Sequence, residues 1–249
     1  MSTSADARSS VDGLTPDALA ERLGVPRVEL YRSIPSTLDV AHLLGAQGAP
    51  SGTVIVADEQ TAGRGRLGRR WASAPGAGLW LTVIERPTDL TALDVLAVRV
   101  GLYAAETLDR LAGQPVGVKW PNDLHAGGRK LGGILIEIRW RGQSPDWAAI
   151  GLGINVAAPE LETGIGLAPG ATRLEALERV VPAIRRAAAM PGHLSPDELS
   201  RWTTRDVARG REISEPGSGI VTGISELGEL QVAHDGQISA HRSCTVTFV

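Results

Sequence analysis

The stretch that most limits what this chain can become is Thr53 to Trp71, TVIVADEQTAGRGRLGRRW. Its opening, Val54-Ile55-Val56-Ala57, is a short β-rich apolar run and reads as a buried strand. Its continuation is a glycine loop carrying Arg64, Arg66, Arg69 and Arg70 and no acid. Glycines let a backbone approach a ligand closely, and guanidiniums pair bidentately with carboxylate or phosphate oxygens, so a strand delivering such a loop suits an anion. Gly63-Arg64-Gly65-Arg66-Leu67-Gly68 also has the G-x-G-x-x-G form of dinucleotide-binding turns. That reading fails, because those glycines must open a helix and Ala74-Pro75-Gly76 breaks the chain before a turn could propagate. A solvated basic loop is the plain alternative for four arginines taken alone.

The rest of the chain fixes the class. Its 249 residues suit one large domain, or one domain with a small appendage. A net charge of -3 argues against a general nucleic-acid binder, which needs clustered cations over a broad face. The single cysteine, Cys244, excludes a disulfide framework and fits a reducing cytoplasm. There is no secretory h-region and no apolar run long enough to span a membrane. Residues 1–13 are small and polar and are expected to be disordered, with a short helix at Pro16 to Leu23. So short a segment leaves little room for a helix-turn-helix reader before the core.

Ser36 is a natural N-cap for a helix to about Leu44. Strands follow at Val54–Ala57, Gly78–Ile84, Val116–Trp120, Lys130–Ile138 and Trp147–Val156, and residues 92–112 carry one continuous apolar stripe of helical spacing. Thr172-Arg-Leu-Glu175 and Ser195-Pro-Asp-Glu198 have capping-box spacing and open helices ending near Met190 and Ala208. Pro182 inside the first implies a kink or a late start. From Gly210 on, short alternating strands around an Asp235-Gly236 turn read as a small β-barrel. Short turns between strands argue for an α+β domain with a mixed, mainly antiparallel sheet.

Five motifs then form a set: Ser36-Thr37; Gln60 with Gly63 to Gly68; Lys119-Trp120-Pro121-Asn122-Asp123; Arg129 to Leu135; and Gly151-Leu152-Gly153-Ile154-Asn155-Val156. Their order and spacing resemble those of bacterial biotin protein ligases, over about residues 32 to 249. The resemblance implies a class II synthetase-like catalytic domain at 31–209, after a disordered or short helical segment at 1–30, and an SH3-like β-barrel at 210–249. It implies that biotin and ATP give biotinyl-5′-adenylate and pyrophosphate, and that a lysine of a biotin carboxyl carrier domain in a biotin-dependent carboxylase then displaces AMP, with Mg²⁺ screening the triphosphate. Without a DNA-binding module the chain resembles the monofunctional type; binding to DNA or membrane is not expected, and a homodimer is left open.

By the same resemblance Ser36, Thr37, Leu38, Gln60, Gly63, Arg64, Gly65, Arg66, Lys130, Gly133, Gly151 and Gly153 would surround biotin. Arg66, Arg69, Trp71, Lys119, Asn122 and Asn155 would lie on the nucleotide side, with Lys130 and Arg66 at the reacting groups. Asp123 is either structural, pairing with the loop, or a metal ligand; the metal ligands are otherwise unassigned. Leu38 and Leu67 depart from the family pattern, which often has an amide and a third arginine there. Free of ligand, residues 63–69 are expected to be mobile, because four like charges repel and Leu67 is their one apolar anchor. The rival readings are a lipoate or other acyl-acid ligase of the same fold, and a nucleotide- or RNA-binding protein using the Arg-Gly loop.

Overall fold

The structure is a computed structural model, and it describes residues 6–7, 11–242 and 244–249. In chain order the elements are β1 (Asp6–Ala7), α1 (Pro16–Leu23), β2 (Arg27–Ile34), α2 (Thr37–Ala46), β3 (Thr53–Gln60), β4 (Gly78–Glu85), α3 (Leu90–Asp94), α4 (Leu96–Ala112), β5 (Val116–Lys119), β6 (Asp123–Ala126), β7 (Arg129–Arg141) and β8 (Ser144–Asn155). They continue with α5 (Arg173–Ala189), α6 (Pro196–Arg205), β9 (Glu212–Glu215), β10 (Gly219–Ile224), β11 (Leu230–His234), β12 (Gln237–His241) and β13 (Thr247–Phe248).

Strands β1 to β8 form one eight-stranded sheet in the order β1-β2-β3-β4-β8-β7-β6-β5, and β9 to β13 a five-stranded antiparallel sheet. Only the β2–β3 pairing is parallel in these ladders, so the large sheet is mixed and mainly antiparallel, as its short turns require. The middle strands are apolar on both sides because both faces are covered. Val54, Val56, Leu81, Val83, Ile150 and Leu152 face a large core with α4 and α5. Ile55, Ile84 and Ala149 point the other way, into a smaller cluster with Leu38, Ala41 and Leu44 of α2 and Trp147. The site lies on this second face, where α2 leaves the sheet uncovered.

Several expectations are corrected. The stripe at 92–112 is two helices, α3 and α4, because Val95 (φ −107°, ψ 2°) leaves helical geometry between them. Helix α5 runs through Pro182 from Thr172's capping box, with no late start, and α6 stops at Arg205. Residues 11–13 are not disordered: Val11 is buried and bridges Leu14 in a tight turn. The expectation for residues 1–5 and 8–10 lies outside the described residues. Residue 31 falls inside β2, and Leu19 and Leu23 of α1 are buried in the main core, so this segment packs with the sheet rather than preceding it.

The tail is tied to the core by specific contacts. Trp120 is buried and its Nε1–H donates to the Gly228 carbonyl at 2.9 Å, and Ile213, Val221, Leu230 and Val246 join the main hydrophobic cluster. Deeper in, Arg99 of α4 is fully buried and donates to Glu198 of α6 (2.7 Å) and to the carbonyls of Met190, Gly192 and His193.

Candidate active site

A cleft opens between the large sheet, the start of α2, the Arg-Gly segment and the tail. Its floor is the register of three central strands, where Gly153 of β8 pairs with Trp80 of β4 and Gly133 of β7, and Gly151 pairs with Thr82 and Leu135. The glycine at 153 is required by close approach: a Cβ there would stand 2.8 Å from Trp71 Nε1. Trp71 lies across this floor, edge-on to Trp80 at 6.3 Å between ring centroids.

One end of the cleft is polar and closed. The Thr37 N–H and hydroxyl both donate to Gln60 Oε1 (2.9 and 3.1 Å), which fixes the amide so that Nε2 faces and donates to Ser73 Oγ (2.9 Å). Thr82 donates to Thr37 Oγ1, and Ser36 Oγ caps Leu38 N–H at 3.3 Å. Ser36 is therefore both an N-cap and a lining residue. Its hydroxyl hydrogen and the second amide hydrogen of Gln60 have no acceptor among the described residues, so both suit a polar ligand.

The other end is cationic. Lys130 Nζ is 2.8 Å from Asp123 Oδ2 and sits over the Trp71 ring at 5.1 Å. Asp123 thus pairs with Lys130, not with the loop. Burial is the main influence on Lys119 and lowers its pKa; Asp123 opposes this, while Lys130, Arg211 and Arg69 repel the ammonium and reinforce it. Arg66 Nη1 lies 3.3 Å from Asn122 Oδ1 and 3.5 Å from the Cys244 carbonyl. Six lining side chains are cationic (Arg64, Arg66, Arg69, Arg70, Lys119, Lys130) and one, Asp123, is a carboxylate. Among the described residues no group of three or more His, Cys, Asp and Glu is arranged to hold a metal.

The Arg-Gly segment is a β-hairpin. Trp71 N–H donates to Gly63 O, Arg64 bridges Arg70, Gly65 N–H donates to Arg69 O, and Arg69 N–H donates to Arg66 O at 3.2 Å. Leu67 (φ 56°, ψ 35°) and Gly68 (φ 72°) are both left-handed, which makes them the central pair of a type I′ turn. Its tip, Leu67, is exposed. Acids from outside the segment meet Arg64, Asp39 on one side and Glu137 on the other, so repulsion among the four arginines is partly offset without a ligand.

Of the residues expected at the site, fifteen line the cleft: Ser36, Thr37, Leu38, Gln60, Arg64, Gly65, Arg66, Arg69, Trp71, Lys119, Asn122, Lys130, Gly133, Gly151 and Gly153. Two do not. Gly63 is held in the hairpin base, where a Cβ would meet the Trp71 carbonyl at 2.5 Å. Asn155 spends its amide hydrogens on the carbonyls of Lys130 and Ile165, and so braces Lys130 from behind. The tail adds residues with no motif to announce them: Cys244, Thr245 and Val246 line the cleft, and Phe248 lies under Lys119 at 4.7 Å and Arg211 at 3.4 Å. Burial raises the Cys244 thiol's pKa against the pull of Arg66, so it is a wall residue and not a thiolate.

The biotin/lipoate A/B protein ligase family matches residues 30–155, half of the chain, and these residues carry the hairpin, the glycine floor and both lysines. The chain belongs to this family. Among relatives of this ligase family, it is 34% identical over 204 residues to the bifunctional ligase/repressor BirA of Escherichia coli, covering 76% of this chain and 64% of that protein. It is 40% identical over 115 residues to the biotin–[acetyl-CoA-carboxylase] ligase of Mycobacterium tuberculosis, covering 44% of this chain and 41% of the relative. The chain thus spans less than two thirds of either relative's length. The structure of a biotin protein ligase from Aquifex aeolicus in complex with biotin and ATP superposes with a TM-score of 0.68 at 26% identity, covering 89% of this chain and 98% of that one. The α+β core with its small β-unit is the architecture expected. Among the described residues no helix is long and apolar enough to cross a membrane.

Proposed function

We propose that this chain is an ATP-dependent biotin–protein ligase. It joins biotin to the α-phosphate of ATP, with release of pyrophosphate, and passes the biotinyl group to a lysine of a biotin carboxyl carrier domain. The observation that carries the reading is the cleft's charge: six lining cations and one carboxylate, over a glycine floor, with a closed polar end. Bringing a carboxylate to a phosphate opposes two anions, about 4 kcal/mol at 4 Å and an effective dielectric near 20, or roughly three decades in rate. Cations held by other contacts before the reaction offset this without reorganising.

In this reading Ser36, Thr37 and Gln60 hold the ureido ring, and Leu38, Gly133, Gly151 and Gly153 the body of biotin. Arg64, Gly65 and Arg66 cover it. Lys130 and Arg66 face the oxygens of the reacting carboxylate and α-phosphate, while Lys119, Arg69, Trp71 and Asn122 serve the nucleotide, with Asn155 behind Lys130. A biotin carboxylate oxygen attacks the α-phosphorus as the bond to pyrophosphate breaks; the acceptor amine then attacks the acyl carbon and AMP leaves. Asp123 is the lining carboxylate and is already paired, so Mg²⁺ would enter with the triphosphate as its counter-ion and not on a protein-built site. The catalytic unit runs from β2 to residue 209, with α1 packed on it, and 210–249 complete the nucleotide wall.

Pyrophosphate release from ATP, with biotin, lipoate or octanoate offered separately, tests the reading. Release with biotin alone is expected, because the closed end offers hydroxyl and amide groups to a urea and nothing comparable to an apolar acid. A preference for lipoate would replace it with the sister activity.

Lys119 adds a pH signature. Because its pKa is lowered, it discharges at a lower pH than an ordinary lysine, and a step needing its charge fails earlier on the alkaline side. Lys119→Arg keeps the charge and is expected to carry the alkaline limb of adenylate formation to higher pH. Superimposable limbs would assign the fall to another group.

A further inference from the structure

Arg64 is set apart from the other loop arginines by its partners. Its Nη2 is 2.9 Å from Asp39 Oδ1, and its Nη1 is 3.2 Å from Glu137 Oε1. Asp39 is on the first turn of α2 and Glu137 is on β7, two residues beyond Leu135, which lines the cleft. The hairpin therefore crosses from one wall to the other, and Arg64 is the point at which it is held to both.

Glu137 is itself aimed. Its Oε2 is 2.7 Å from His42 Nε2, and His42 Nδ1 accepts from the Nε1–H of Trp147 at 3.1 Å. Because the indole only donates, Nδ1 must be the acceptor; Nε2 then carries the hydrogen and donates it to Glu137. Trp147 is nearly fully buried in the α2 cluster, where its ring lies so close to Gly45 that a Cβ there would stand 2.6 Å away. A continuous chain of contacts thus runs from that core through His42 and Glu137 to the hairpin.

We propose that Asp39 and Glu137 form a latch that holds the hairpin over the cleft through Arg64, with His42 as the positioning residue that aims Glu137. Dwell time of whatever the cleft contains is then set partly by two acids outside it. In its ligand arm this rests on the function proposed above; in its hairpin arm it does not. Each pair is half-exposed, at 38% for Arg64, 54% for Asp39 and 32% for Glu137, so each holds weakly and the latch can open on the time scale of turnover.

The test is amide hydrogen exchange across residues 63–70 in the ligand-free chain, comparing wild type, Glu137→Gln, Asp39→Asn and the double variant. The amides of β3 serve as internal reference. Exchange about 2- to 5-fold faster in each single variant, and faster again in the double, is expected from the strength of half-exposed pairs. His42→Gln should reproduce the Glu137→Gln change and add little to it, as residues acting through one another do. Raising salt should speed hairpin exchange in wild type and leave the double variant unchanged, because salt screens exposed pairs. In the ligand arm, labelled biotin should leave the variants faster by a similar factor. Wild-type hairpin exchange in both the single and double variants would overturn the latch. Absence of biotin binding to wild type, with the exchange changes present, would overturn the proposed function and leave the latch standing.

Discussion

Lys130→Ala is expected to slow adenylate formation by on the order of 10²-fold or more, measured as pyrophosphate release in a single turnover, while weakening biotin binding far less. The ammonium matters most where charge accumulates as carboxylate meets phosphate, so its loss falls mainly on the transition state. The geometry adds a second effect. Lys130 neutralises Asp123 at 2.8 Å, and its removal leaves a bare carboxylate facing two incoming anions. Adding Asp123→Asn to Lys130→Ala should recover part of the lost rate. If the single variant keeps wild-type pyrophosphate release, Lys130 has no such role; if the double recovers nothing, the freed charge is not part of the defect.

The second large effect concerns stability. Arg99→Met is expected to cost about 3–5 kcal/mol, as breaking one side of a buried ion pair does. Glu198 would stay buried without its guanidinium, and the carbonyls of Met190, Gly192 and His193 would lose a donor together. Burial pushes the Glu198 pKa up, but hydrogen bonds from Arg99 and Ser195 outweigh it and hold the pKa below the usual value. A depressed carboxyl contributes stability above its unfolded pKa and loses it as pH falls through the folded one. The gap between wild type and variant should therefore narrow on acidification. Urea midpoints at neutral pH and at a pH below the ordinary glutamate pKa measure both. Replacing the pair with two apolar residues, Arg99→Met with Glu198→Leu, should recover most of the loss; a double variant as weak as the single would mean that the carbonyl contacts dominate.

The class of fold and most of the cleft were legible because their signals are local. Strand alternation, capping boxes at Thr172 and Ser195, and glycines at Gly151 and Gly153 each speak through a few consecutive residues. The break at Val95 left no trace, because Val95 and Leu96 are both apolar and one residue out of helical geometry does not disturb a stripe. The I′ turn was hidden for a chemical reason: such turns are announced by Asn-Gly or Asp-Gly, and here a leucine holds the first left-handed position. Asp39 and Glu137 come to Arg64 from α2 and β7, and Phe248 reaches Lys119 from the far end of the chain. Pairings of that kind depend on sheet register and on how the tail docks. Asn155 was recognisable as important, but its glycine-flanked strand says only that something lies close, not that one neighbour is the Lys130 backbone.

The position of Trp71 makes the protein its own optical probe. Its indole rests on the glycine floor with an ammonium above it and Trp80 at its edge, whereas Trp147 and Trp202 are buried away from the cleft and Trp140 is exposed on β7. Emission from the rings away from the cleft is a steady background. Light from Trp71 depends on what stands between it and Lys130, so filling and emptying of the cleft can be followed in real time, in the unmodified chain, without attaching a dye.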